Sequence, residues 1–187
     1  TRLGALATLG RFLRMEHNQE RGLIPFLRIK LVKDCPQVGV SEFEPLQHIM
    51  DAQLLPALAD ARERLTGAFD VLRDLAAAKC GQIGRDIKWR LTPQVLCDPE
   101  LRRVHAEHVL PAVEALAALS RAAGELHRRL VQIAPAPGQS ELPIAMEIQQ
   151  LHAYTMRIDR MAGVLAEGTG EDLAENTVRW IEMDAQR

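Results

Sequence analysis

The sequence predicts an all-α fold, an elongated antiparallel helical bundle with a short strand-like segment near its C-terminal end. Three observations predict it. Phe, Trp and Tyr make up only 4% of the 187 residues, so Leu, Ala, Val, Ile and Met must fill the core, and Ala and Leu are the strongest helix formers. Long stretches carry apolar residues at steps of three and four, the period of one helix face. The stretch "TVRWIEM" instead gathers residues that favour extended structure.

The expected organisation is a pair of N-terminal helices over 1–34, a long-helix bundle over 35–175, and a strand-like return over 176–187. Leu3, Leu6, Leu9, Phe12 and Leu13 give residues 2–16 a helical stripe that "HNQERG" breaks. A second short helix, about 22–33, carries Leu23, Phe26, Leu27 and Leu31, and "DCPQVGVS" follows as a loop. Ser41 and Glu44 have capping-box spacing, so a helix is expected to start there. It runs to about Lys79 along Leu46, Met50, Leu54, Leu58, Leu65, Phe69, Leu72 and Ala76, with a kink at Pro56, which lacks an N–H and crowds the preceding turn.

"KCGQIGRDIKWRLTPQVLC" interrupts the helical period with Gly81, Gly84 and Pro93 and reads as a long tip or crossover loop. Asp98 and Pro99 then stand as N-cap and first helical residue. The helix from about 99 to 133 turns Leu101, Val104, His108, Ala112, Leu116, Leu119, Ala123, Leu126 and Leu130 inward, with a kink at Pro111. After the turn "APAPGQS", Ser140 is expected to cap a helix reaching about Glu167, whose seam is Ile144, Ile148, Leu151, Thr155, Ile158, Ala162 and Leu165. Along the last segment, Val178 and Trp180 share one face and Thr177, Arg179 and Ile181 the other. A lone strand cannot satisfy its backbone, so this one needs a partner, either "QVGV" or a strand outside these residues.

Composition narrows the function. The net charge is −2, yet residues 1–34 hold seven Lys and Arg (Arg2, Arg11, Arg14, Arg21, Arg28, Lys30 and Lys33) against Glu16, Glu20 and Asp34. That segment is locally basic, and the plainer reading is solvated charge on helix faces, since charge runs of this density are ordinary on surface helices. Cys35, Cys80 and Cys97 lie far apart without a CxxC or CxxH pair, so neither a disulfide framework nor a zinc or iron–sulfur site is expected, and a reduced compartment such as the cytoplasm fits. No apolar run approaches the roughly 20 residues that span a bilayer, and no signal-peptide cleavage pattern is present. The start at Thr1 suggests processing or excision from something longer.

No constellation carries a reaction. His105 and His108 are one turn apart around Glu107, but none of the six histidines has a Glu three positions before it, as a di-iron bundle requires. "MEHNQERGLIPFL" and "HAEHVLPAVEAL" resemble hemerythrin-like bundles only superficially, because the later His and Glu set is lacking. A structural role for His108 is the plainer reading. There is no G-x-S-x-G elbow, and "GQIG" lacks the Lys-Ser/Thr of a phosphate loop.

"RDIKWR" is the most suggestive segment. Arg85, Lys88 and Arg90 flank Trp89, and cations beside an exposed aromatic grip the backbone and stack a base of single-stranded nucleic acid. The alternative is that Trp89 caps the end of the bundle while the charges face water. Arg102, Arg103, Arg128 and Arg129 extend the candidate basic track.

At "NTVRWIEMD" the pattern resembles DinG-like helicases, relatives of XPD, where a helical insertion returns to the motor domain through a strand reading roughly V-R-W-I/V-E. "RGLIPFLRIKL" resembles the Arg-rich helix that follows their DEAH-box region, and the Ala/Leu/Arg helices resemble their arch. The resemblance implies a non-catalytic, arch-like region of an ATP-dependent 5′–3′ DNA helicase, helping to guide single-stranded DNA beside the motor domains of the same chain. ATP and Mg would belong to the parent, as would any iron–sulfur cluster, since Walker A, DEAH, Ser-Ala-Thr and the cysteine quartet are not among these residues. "TVRWIEM" would then be a strand whose sheet lies in the motor. The other reading is a helical protein–protein interaction module that never touches nucleic acid.

Overall fold

A computed structural model describes residues 2–81, 87–170 and 178–183. The fold is mostly α-helical, with two short antiparallel ribbons among the described residues. By backbone contacts the chain divides into two compact units, Thr1–Arg62 with Leu116–Met161, and Glu63–Ala115 with Ala162–Arg187.

The first unit begins with α1 (Arg2–Gly10), which ends short of the expected residue 16. Strands β1 (Arg14–Glu16) and β2 (Gln19–Arg21) follow, paired Arg14 to Arg21, Met15 to Glu20 and Glu16 to Gln19. His17 and Asn18 join them with φ of 50° and 59°, the left-handed pair that a two-residue hairpin turn of the right twist requires. All six strand residues are exposed. The base of the hairpin is what holds it. Phe12 is fully buried, Leu23 N–H donates to Arg11 O, and Ile24 N–H donates to Phe12 O. Arg62 donates from Nη2 to the carbonyls of Leu9 (3.0 Å) and Leu13. Gly22 closes this crossing at φ 126°, where a Cβ would lie 2.7 Å from Phe12 O, so no other residue fits without displacement.

Helix α2 (Leu23–Asp34) buries Leu23, Leu27 and Leu31 of the expected stripe, with Ile24 in place of Phe26, which is exposed. Helix α3 (Val40–His48) starts one residue before Ser41, with Gly39 at the N-cap and no side-chain capping bond, so the predicted capping box does not form. Pro56 is then accommodated by a π-helical turn, Ile49–Leu54, in which Leu55 N–H reaches back five residues to Met50 O. Proline offers no N–H and crowds the carbonyl four residues earlier, and the wider turn absorbs both. Helix α4 (Leu55–Cys80) continues from there.

In the second unit, the stretch expected as a long loop instead holds β3 (Ile87–Leu91) and a one-turn helix α5 (Pro93–Leu96) capped by Thr92. Helix α6 (Pro99–Val104) starts as predicted, with Asp98 Oδ1 accepting from Glu100 N–H at 2.8 Å and Leu101 N–H at 3.3 Å. A second π-helical turn, His105–Val109, precedes Pro111 and gives the same Leu110-to-His105 bond across five residues. Helix α7 (Leu110–Val131) and helix α8 (Ala145–Thr169) complete the helical set. Helix α8 starts five residues after Ser140, and the chain before it turns twice, Gln139 N–H donating to Ala136 O and Ala145 N–H to Leu142 O. Its expected seam is buried from Ile144 through Ile158 to Ala162.

The C-terminal strand is β4 (Arg179–Met183), and its partner is β3, in the register Lys88 to Glu182, Trp89 to Ile181 and Arg90 to Trp180. This corrects the expectation that the strand pairs with "QVGV" or leaves its partner outside the chain. The alternation of Ile87, Trp89 and Leu91 supplies a buried face against α4, α5 and α6, and that burial selects the pairing.

Candidate nucleic-acid interface

The ribbon β3–β4 has one buried and one exposed face, and the sequence alternation decides which side chain goes where. Ile87, Trp89 and Leu91 point inward, packed with Leu72, Leu75 and Ala76 of α4 and with Leu96, Leu101 and Val104. Ile181 of β4 joins them, half-buried. Lys88, Arg90, Trp180 and Glu182 point outward. Two of the cross-strand pairs on that outer face are in direct contact. Lys88 Nζ lies 2.7 Å from Glu182 Oε1, and the Arg90 guanidinium lies 5.9 Å from the centroid of the Trp180 ring.

The four predicted contact residues therefore separate. Trp89 is 9% exposed and belongs to the core, so it is not the surface aromatic that stacking requires, and the segment is a strand rather than a loop. Its burial beside outward charges matches the alternative reading of "RDIKWR". Lys88 and Arg90 are exposed. Arg85 lies outside the described residues, as does Thr177. The residue that sequence reasoning missed is Trp180, 54% exposed and directly opposite Arg90. The signal was present in its sharing a face with Val178, also exposed, but which face looked outward depended on the unseen partner strand.

This face offers an aromatic plane with a guanidinium over it and an ammonium one residue pair further along. A cation over a Trp ring at the surface is worth about 0.5–1 kcal/mol and holds the guanidinium where a phosphate can reach it. The Lys88–Glu182 pair is exposed and contributes at most about 1 kcal/mol, so an incoming anion competes with it at little cost. Trp180 is 54% exposed, and an exposed aromatic ring is a surface on which a base can stack.

Elsewhere the titratable groups read as structural. Burial, with Asp34 beside it, pushes the Cys35 thiol up, away from the thiolate that nucleophilic chemistry needs. Burial, and then the stacked His152 ring 4.9 Å away, pulls His127 down. Lys79, held by Asp98 Oδ2 at 2.8 Å and Glu100 Oε2 at 3.1 Å, ties α4 to the start of α6. His105 Nδ1 lies 2.8 Å from Thr169 Oγ1, and His108 is half-buried. Among the described residues no group of three or more His, Cys, Asp and Glu side chains is placed to hold a metal ion. No described helix is long and apolar enough to cross a membrane.

No protein-family model matches the chain, and no curated protein or solved structure matches it significantly.

Proposed function

We propose that this chain is a non-catalytic helical domain of a cytoplasmic, ATP-dependent 5′–3′ DNA helicase, and that it guides single-stranded DNA across the outer face of β3–β4. The observation that carries the reading is the Arg90–Trp180 pair, an exposed ring with a guanidinium over it beside Lys88. Arg90 and Lys88 would hold phosphates, and Trp180 would stack a base. The likeness of "NTVRWIEMD" to the DinG-like return strand supports the helicase assignment, with ATP and Mg held by motor domains of the same parent. Pairing of that strand with β3 removes the unpaired-strand argument and leaves the motif itself.

The test is fluorescence anisotropy of a labelled single-stranded oligonucleotide titrated with the chain from low to moderate salt. Phosphate contacts make the affinity fall steeply with salt. The reading expects an Arg90→Gln/Trp180→Ala variant to bind at least tenfold more weakly. Equal affinities for variant and wild type would overturn it.

One observation favours the interaction-module reading. Phe26, Ile29 and Val32 of α2 form an exposed apolar stripe on the side away from its buried residues. That reading expects no DNA binding at low salt, and self-association or partner binding that Phe26→Ser/Ile29→Ser abolishes.

A further inference from the structure

We infer that the β1–β2 hairpin is a separate nucleic-acid contact, a site for the phosphodiester backbone built on Arg14 and Arg21 with Arg11 at its base. It shares a ligand class with the function proposed above but none of its residues, so either can fail alone.

Arg14 and Arg21 are directly opposite each other on the two strands. Cross-strand partners hold their Cβ atoms roughly 5 Å apart, and like charges so placed repel. No carboxylate among the described residues bridges the pair. Arg14 Nη2 turns instead to Glu16 Oε2 on its own strand at 3.1 Å, and Arg21 Nη2 to Gln19 Oε1 on its own strand at 3.0 Å. Each guanidinium carries five N–H donors in a planar fork, so both keep donors for an anion. A phosphate seated between them would relieve the repulsion and accept from both forks, a geometry that suits guanidinium better than ammonium.

Stability does not explain the hairpin. It orders eight residues, Arg14 to Arg21, and every one of their side chains is exposed, with Arg14 at 64%. Ordering a backbone costs conformational entropy, and a two-stranded hairpin alone is marginal in water. The cost is met at the base, where Phe12 is buried and Arg62 clamps two carbonyls, so the arginines are presented from a fixed mount. Arg11 stands at that base, 5.8 Å from the Tyr154 ring centroid, and adds a third cation. Arg11, Arg14 and Arg21 are three of the seven Lys and Arg of residues 1–34, the other four lying on α1 and α2, and the ribbon carries Glu16 and Glu20 beside its two arginines.

The experiment compares wild-type chain, Arg14→Gln/Arg21→Gln and Trp180→Ala for binding to a labelled 20-nucleotide single strand across a salt series. Losing two phosphate contacts lowers the slope of log affinity against log salt by about 1.4. The expected result is that drop with roughly tenfold weaker binding at low salt for the arginine variant, and an unchanged slope for Trp180→Ala. Both arginines are exposed, so the thermal midpoint should stay within a few degrees and shows that the variant is folded. Wild-type slope and affinity in the arginine variant would overturn the inference, as would a wild-type chain that binds no DNA at low salt. Loss in the arginine variant with none in Trp180→Ala supports the hairpin and overturns the β3–β4 face. Equal loss of binding to polyglutamate would assign the pair to acidic chains in general and overturn the phosphate assignment.

Discussion

The two antiparallel ribbons are held by opposite means: β1 and β2 are joined by His17 and Asn18 alone and expose every side chain, whereas β3 and β4 lie far apart in sequence and share a buried face. The first is specified by its turn and its anchored base. The second is specified by what Ile87, Trp89 and Leu91 must cover. Local closure costs little entropy and so tolerates two polar faces, while a long-range pairing needs hydrophobic burial to offset the ordering of a longer intervening chain. Both ribbons nonetheless present arginine on a solvated surface, Arg14 and Arg21 on one and Arg90 on the other.

The contrast is broken most severely at Trp89. Trp89→Ala should destabilise the fold by about 3–5 kcal/mol, read as a lower midpoint in denaturant, because it empties a core position. Met15→Ala, an equally apolar side chain on the other ribbon, should stay within about 0.5 kcal/mol of wild type. A silent Trp89→Ala would contradict the packing assigned to β3. Next in size is Gly22→Ala, which places a Cβ against Phe12 O at a positive φ and should cost roughly 1–3 kcal/mol, with faster amide exchange in the hairpin.

Smaller effects sharpen the same contrast. Asn18→Gly relaxes a left-handed position and should slow exchange of the hairpin amides without moving those of β3–β4. Reversing the exposed pair as Lys88→Glu/Glu182→Lys should change stability by less than about 1 kcal/mol, since the contact is solvent-exposed. A change several times larger would mean that the outer face of β3–β4 is not the solvated surface described.

The helices were legible because a stripe of Leu at steps of three and four states its own period, and Asp98–Pro99 states its own start. The proline positions were legible too, and the chain accommodates Pro56 and Pro111 with a π-helical turn before each. The ribbons were half-legible. The β-favouring composition of "TVRWIEM" announces β4, but β3 sits in a segment punctuated by Gly81, Gly84 and Pro93, where the alternation of Ile87, Trp89 and Leu91 with Lys88 and Arg90 is masked by charge. The hairpin turn carries His-Asn rather than the Asn-Gly that signals such a turn most clearly. Choosing Trp89 over Trp180 as the surface aromatic followed from this. With strand register unknown, charge around a Trp suggests exposure, and only the pairing shows that the charged neighbours of Trp89 point the other way.

The most direct measurement is the emission of Trp180 alone, in a Trp89→Phe variant, as an oligothymidylate is added at low salt. Stacking of a base on the exposed ring predicts quenching that saturates with the binding isotherm and disappears on Arg90→Gln as binding weakens. Unchanged emission while anisotropy reports a bound strand would contradict the claim that the outer face of β3–β4 takes the single strand.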